Sequence, residues 1–350
     1  ASSAAPTFEL VRAFKSHTDD ICNIALSGNG KFLVTCAYDK LAKVWDTTTG
    51  DEVATLAQHS DAVYHAAFSD AAGSLVALSS FDGNVSLWTT ATGEMRGLCT
   101  GQKERVVQSA FFNEGAHLVG TGVDPSPTAW DVETQNTLFR LRGHTDAVPY
   151  IDVSDKLGLM ASASLDGTVR IWDTRTGNSV HVLAAGHLDG VGVAKLSPDG
   201  KWCVSGSEDG TVCLWDLRAG ALSEKMNCIG KAVRDIAFDE ARTTEELAWF
   251  AVTADDWRVR LMRGPILSQE TLYPDPAGMN KVIFFKDHPW MVAGGSDGIV
   301  HVFTKDTCTT VMDLEGHSAT IVTVALSDDG RTLTSLSEDN EVRVWRMKSA

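Results

Sequence analysis

The chain has 350 residues, 43% of them hydrophobic and 22% charged, the balance of an ordinary globular protein. No apolar run reaches the roughly 18 residues of a membrane-crossing helix. The net charge of −16 opposes non-specific binding to nucleic acid or anionic lipid, whose phosphates need a basic surface, and favours basic partners.

In chain order, residues 1–7 are small and polar and read as a disordered tail rather than a secretory signal. Phe8 to Phe14 reads as a strand with no neighbour of its own. From there an aspartate stands six residues before a bulky apolar residue eight times: Asp39/Trp45, Asp82/Trp88, Asp124/Trp130, Asp166/Trp172, Asp209/Trp215, Asp256/Met262, Asp297/Phe303 and Asp339/Trp345. Successive closing residues lie 43, 42, 42, 43, 47, 41 and 42 positions apart. One unit used eight times shares a continuous core, so residues 8–346 count as a single domain, with 347–350 as a tail.

The clearest copy runs from Gly143 to Asp173. Val148, Ile151 and Val153 mark a first strand, Leu159 to Ser164 a second and Thr168 to Trp172 a third; a fourth lies near Ser179 to Leu183. The runs are short, β-branched and divided by Gly, Asp, Asn and Ser turns, which predicts an all-β chain. The seven cysteines are Cys22, Cys36, Cys99, Cys203, Cys213, Cys228 and Cys308, without a CxxC pair. That pattern argues against a disulfide framework or zinc site and for a reducing compartment, cytoplasmic or nuclear.

A His precedes the closing Trp by 28 residues in His17/Trp45, His144/Trp172, His187/Trp215 and His317/Trp345, and by 29 in His59/Trp88. Trp-Asp itself stands at Trp45-Asp46, Trp130-Asp131, Trp172-Asp173 and Trp215-Asp216. This resembles the WD-repeat family, in which each unit is a four-stranded β-propeller blade. The resemblance implies eight blades, or seven if the weak sixth and seventh units share one. It also implies that Phe8 to Phe14 closes the ring as the outer strand of the last blade, removing an exposed edge.

In that family a His, a Ser or Thr, the turn Asp and the Trp form a buried hydrogen-bonded set. The resemblance assigns it here to His59/Ser80/Asp82/Trp88, His144/Ser164/Asp166/Trp172, His187/Ser207/Asp209/Trp215 and His317/Ser337/Asp339/Trp345. The first unit then departs at Ala37, and the third at Gln102 and Gly122. The sixth and seventh have no His, so they should be less rigid or rest on apolar packing. The sixth also carries an inserted segment, residues 239–246, expected on the bottom face.

His, Ser and Asp recur as scaffold in several units, whereas a catalytic set should occur once and be reachable. No HExxH, phosphate-binding GxxxxGK[ST] or helix-opening GxGxxG is present, so the reading is non-enzymatic, with no metal and no cofactor. Arg258 and Arg260 alternate on one strand face and read as solvated.

Function in WD-repeat proteins is usually recognition of peptides or domains by the top face. The resemblance points to the residue before each turn Asp and to those three and five after the His. The first ring runs Tyr38, Phe81, Val123 and Leu165 in the first four units, then Glu208, Asp255, Ser296 and Glu338. Tyr64 and Pro149 join the apolar half; Arg234 joins the other, and Asp20 and Arg105 add charge. Trp257 follows its turn Asp where Gly, Lys or Asn is commoner. The expectation is a protein-protein scaffold or adaptor in a multiprotein complex, with apolar anchors on one side and Glu208, Asp255 and Glu338 receiving cations of the partner. A chaperone or reader of a basic segment is the alternative.

Overall fold

The computed structural model describes residues 7–227, 231–244, 247–256, 258–264, 268–272 (backbone only), 279–307 and 309–348. These form eight antiparallel sheets of four strands, and among the described residues there is no helix. Each sheet is one blade. The unit at Gly143 gives strands Tyr150–Ser154, Leu159–Ala163, Val169–Asp173 and Ser179–Leu183, hydrogen-bonded in that order. The expected strands are all present, the first starting later because Val148 lies in the approach loop.

The first strands stand side by side around the centre, from Ile21–Leu26 in blade 1 to Ile321–Leu326 in blade 8, which adjoins Ile21–Leu26 again. The ring is closed, and the weak sixth and seventh units each build their own blade. Second strands are the most deeply buried: every residue of Phe32–Ala37, Trp202–Ser207, Trp290–Gly295 and Thr332–Ser337 is inside. Core clusters bridge neighbouring blades; one joins Val34 and Val44 of blade 1 to Val76 and Leu78 of blade 2. This burial between blades is why no unit could fold alone.

Closure follows the predicted route. Phe8–Phe14 pairs antiparallel with Val342–Met347 and is the outer strand of blade 8, with Phe8 opposite Met347 and Phe14 opposite Val342. On the top face, Asn340 of blade 8 accepts from the Ile21 N–H at 2.9 Å and donates to the Asp20 carboxylate at 2.8 Å. Chain start and chain end are thus fastened at two levels.

In six blades the turn after the second strand takes a left-handed residue just behind its Asp. Lys40, Gly83, Gly167, Gly210, Gly298 and Asn340 take φ of 72°, 85°, 80°, 79°, 80° and 62° there, a region open to Gly and tolerated by Asn. Cys36, Cys99, Cys203 and Cys213 are buried and Cys22 half-buried, all as free thiols; Cys228 and Cys308 lie outside the described residues.

Candidate top-face interaction site

Four-member networks inside the blades hold the top-face turns. In blade 4 the Trp172 indole N–H donates to Ser162 Oγ at 2.8 Å, and Ser162 lies 2.7 Å from His144 Nε2. His144 Nδ1 meets Asp166 at 2.9 Å. With a carboxylate at Nδ1, that nitrogen carries the proton and Nε2 accepts from the serine. Asp166 also takes the Thr145 and Thr168 N–H groups, fixing both loops.

The serine is therefore not Ser164, and the expected assignment is corrected throughout. The hydroxyl joining His to Trp is Thr35 in blade 1, Ser86 in blade 2, Ser162, Ser205 and Ser335 in blades 4, 5 and 8. Ser80, Ser164 and Ser207 instead cap the turn, each accepting from the N–H of its Asp and donating to a loop carbonyl. Ser337 likewise donates to the Ala319 carbonyl. The turn serine stands at or just past the end of its second strand, where it meets the loop, whereas the hydroxyl that reaches the His lies two residues earlier on the same face, or on the third strand. Blade 1 is consequently complete, Ala37 notwithstanding.

The departures in blades 6 and 7 are repaired differently from expectation. Met262 and Phe303 are fully buried, so apolar packing does replace the Trp. The turn Asp, however, keeps a hydrogen-bonding partner from its own third strand: Arg260 pairs with both oxygens of Asp256, and His301 lies 3.1 Å from Asp297 and 2.7 Å from Asp313. Arg260 is 1% exposed, which overturns its reading as solvated. In blade 3, Gln102 donates to the Gly120 carbonyl and Trp130 to the Thr100 carbonyl, both at 2.8 Å.

Burial governs the ionisation of these sets. It pushes the imidazoles of His17 and His144 down, and those of His187 and His317 down to about 4, outweighing nearby carboxylates where these are present. Although burial alone would raise it, Asp166 sits at about 2 because Thr168, the Thr145 N–H and His144 hydrogen-bond its anionic form. In blades 1, 2 and 4 the His joins the hydroxyl to the turn Asp, in blade 5 Thr211 takes His187 Nδ1, and in blade 8 His317 Nδ1 is buried without a hydrogen-bond partner among the described residues.

Within the channel, Lys195 bridges to Asp152 at 2.9 Å and Lys281 approaches Asp235 at 3.7 Å, each pair joining adjacent blades. They border a cavity of about 410 Å³ beneath the first strands of blades 4 to 7. The channel-side charges are thus engaged as ties between blades.

On the top face three of the expected anchors meet. Tyr64 stacks on Phe81 with ring centroids 4.9 Å apart, Tyr38 meets Phe81 edge-on at 6.2 Å, and the Arg105 guanidinium lies over Phe81 at 4.8 Å. They remain open to solvent: Tyr38 is 43% and Tyr64 36% exposed, with Val123 at 44% and Leu165 at 40% beyond them. Pro149 is half-buried. Leu165 lies against Gly190 of the next blade.

The opposite half differs from expectation. Asp255 is held by both Nε and Nη2 of Arg234, at 2.5 and 2.6 Å. Its charge is countered within the protein, and it is not a free receptor for a partner cation. Glu208 and Glu338 are exposed, whereas Trp257 lies outside the described residues. The spacing argument placed Arg105 on this face as a charge but not over the Phe81 ring, because that contact depends on how two neighbouring loops meet.

The five most regular repeats match the family model "WD domain, G-beta repeat", over residues 8–46, 50–89, 135–173, 177–216 and 307–346. Each matched unit starts one strand ahead of a blade, the offset that makes Phe8–Phe14 the latch of blade 8. Protein tipD of Dictyostelium discoideum is 27% identical over 177 residues, 50% of this chain and 28% of that protein. Dynein assembly factor with WD repeat domains 1 of Danio rerio is 39% identical over 70 residues, 20% of this chain and 17% of that protein. Serine-threonine kinase receptor-associated protein of Dictyostelium discoideum is 24% identical over 336 residues, covering 94% of this chain and 96% of that protein. The chain spans less than a third of the length of the first two of these relatives. Repeat spacing, blade architecture and matched segments together place this chain in the WD40 family.

Proposed function

We propose that this protein is a non-catalytic scaffold subunit of a multiprotein complex and binds a segment of a partner protein on its top face. The observation that carries this reading is the cluster of exposed Tyr38 and Tyr64 about half-buried Phe81. Three aromatic rings held together by stacking, rather than turned into the core, form a pre-organised anchor of the kind that dominates interface energetics. Leu165 and Val123 extend the apolar area along the rim. Clusters of this kind on a soluble surface mark recognition sites.

The test is replacement of Tyr64, Phe81 and Leu165 together by serine, followed by affinity purification and mass spectrometry beside the unaltered protein. The folded triple variant is expected to lose its main partners. An unchanged partner set would refute the reading.

A further inference from the structure

Blade 3, the one whose His is replaced by Gln102 and whose turn runs Asp124-Pro125-Ser126-Pro127, opens a pocket of about 420 Å³. Its lining holds Lys103, Arg140 and Arg142 against Glu104 and Asp124. Asp124 is buried, accepts from the Ser126 N–H at 2.9 Å and has Arg140 3.7 Å away, so much of its charge is already countered. Arg140 also donates to the Gly101 carbonyl, which fixes it at the wall. Lys103 and Arg142 are exposed. On a chain of net charge −16 this is a local reversal of sign.

The pocket is continuous with the aromatic cluster. Glu104 lines it, and the next residue, Arg105, lies over Phe81. The carbonyls of Gln102 and Glu104 pack against Gly83, in the turn that carries Phe81. On the other side, exposed Val123 donates its N–H to the Arg105 carbonyl and is followed by Asp124. A bound segment therefore meets rings first and cations next. Arg105 already occupies a Phe81 face, so a partner lysine would meet a like charge there. Elsewhere on the top face Asn340 donates to Asp20 and Arg234 holds Asp255, whereas Glu104 stands exposed at the pocket.

We propose that the top-face site takes an extended acidic segment of a partner protein, its apolar or aromatic residue on Tyr38, Tyr64 and Phe81 and its Asp or Glu carboxylates on Lys103 and Arg142. This rests on the scaffold reading above and gives its partner a chemistry opposite to the one that the net charge suggests.

The experiment measures fluorescence anisotropy with short labelled peptides that share a central Trp-Leu pair and differ in flanking residues: Glu, phosphoserine, Gln or Lys. The Glu peptide is expected to bind more tightly than the Gln and Lys peptides and to weaken with added salt. The exposed double variant Lys103→Ser/Arg142→Ser should weaken it about tenfold, with an unchanged circular dichroism spectrum. Lys103→Glu/Arg142→Glu should shift preference toward the Lys peptide. Equal binding of all four, preference of the unaltered protein for Lys, binding of the phosphoserine peptide alone, or no binding would each overturn the proposal. Loss of cellular partners in the triple serine variant, with no preference among the peptides, would sink the charge assignment and leave the scaffold reading standing.

Discussion

At the scale of the residue, the hydroxyl between His and Trp decides whether a blade's polar interior is satisfied. Ser162 receives the Trp172 indole and donates to His144. Its removal strands two buried groups at once, each costing on the order of 1–3 kcal/mol. Ser164, two residues on, only ties the turn to the Ala147 carbonyl and the Asp166 N–H. Ser162→Ala is therefore expected to lower stability by about 2–3 kcal/mol and Ser164→Ala by about 1 kcal/mol. Urea unfolding of the two variants checks the order. That the set existed was legible from the His, Asp and Trp spacing. Which hydroxyl belongs to it was not, because Ser162 and Ser164 share one face of the strand and only the position of the strand end, at Ala163, separates their roles.

Whole blades tolerate the loss of that set when another group reaches the turn Asp. In blade 6 the partner comes from the third strand, Arg258–Arg263, where Arg260 lies four residues beyond Asp256 and points back at it. Arg260→Leu leaves a nearly buried carboxylate without its main counter-charge and should cost about 3–5 kcal/mol. Adding Asp256→Ala should recover much of that loss, as thermal melts of the single and double variants would show. The inserted segment of this blade acts similarly across the bottom face. Asp239 takes the buried Lys305 ammonium of blade 7 at 3.0 Å, and Arg242 stacks on Trp249 at 3.9 Å while pairing with Asp306 at 3.2 Å. Apolar packing of Met262 and Phe303 met the expectation, but these added partners escaped it because groups placed by tertiary packing carry no repeat signature of their own.

Across the whole molecule, the networks titrate in a common direction. Folded His17, His144, His187 and His317 bind their proton less readily than an exposed imidazole, as does His65, which burial takes to about 4. Their unfolded counterparts protonate near pH 6.5. The unfolded chain thus binds more protons between about pH 6.5 and 4, and stability must fall as pH drops through that window. The depressed carboxylates Asp82, Asp166, Asp209 and Asp339 add a later loss. Their contribution is whole above the ordinary carboxylate range near 4 and vanishes as pH falls toward 2. Calorimetry from pH 7 to 4 should show a steady decrease of the melting temperature well before the carboxylates protonate. A flat profile down to pH 5 would contradict this account.

The sequence by itself determined the eightfold repeat, the all-β class and the strand order within a unit, while the choice of eight blades over seven and the closure by Phe8–Phe14 were settled by the tertiary structure. The first three depend on local alternation and on a period, and both are written along the chain. The same coordinate system found Tyr38, Tyr64 and Phe81. Only the tertiary structure decided that Arg105 lies on their rings, that Arg234 quenches Asp255, and that Lys103 meets Arg140 and Arg142 in one pocket. Those pairings join residues on different strands and loops, some nearly forty positions apart. Electrostatics acts through space, so the sign of a surface is set by which loops the closed ring brings together and not by the order of charges in the chain.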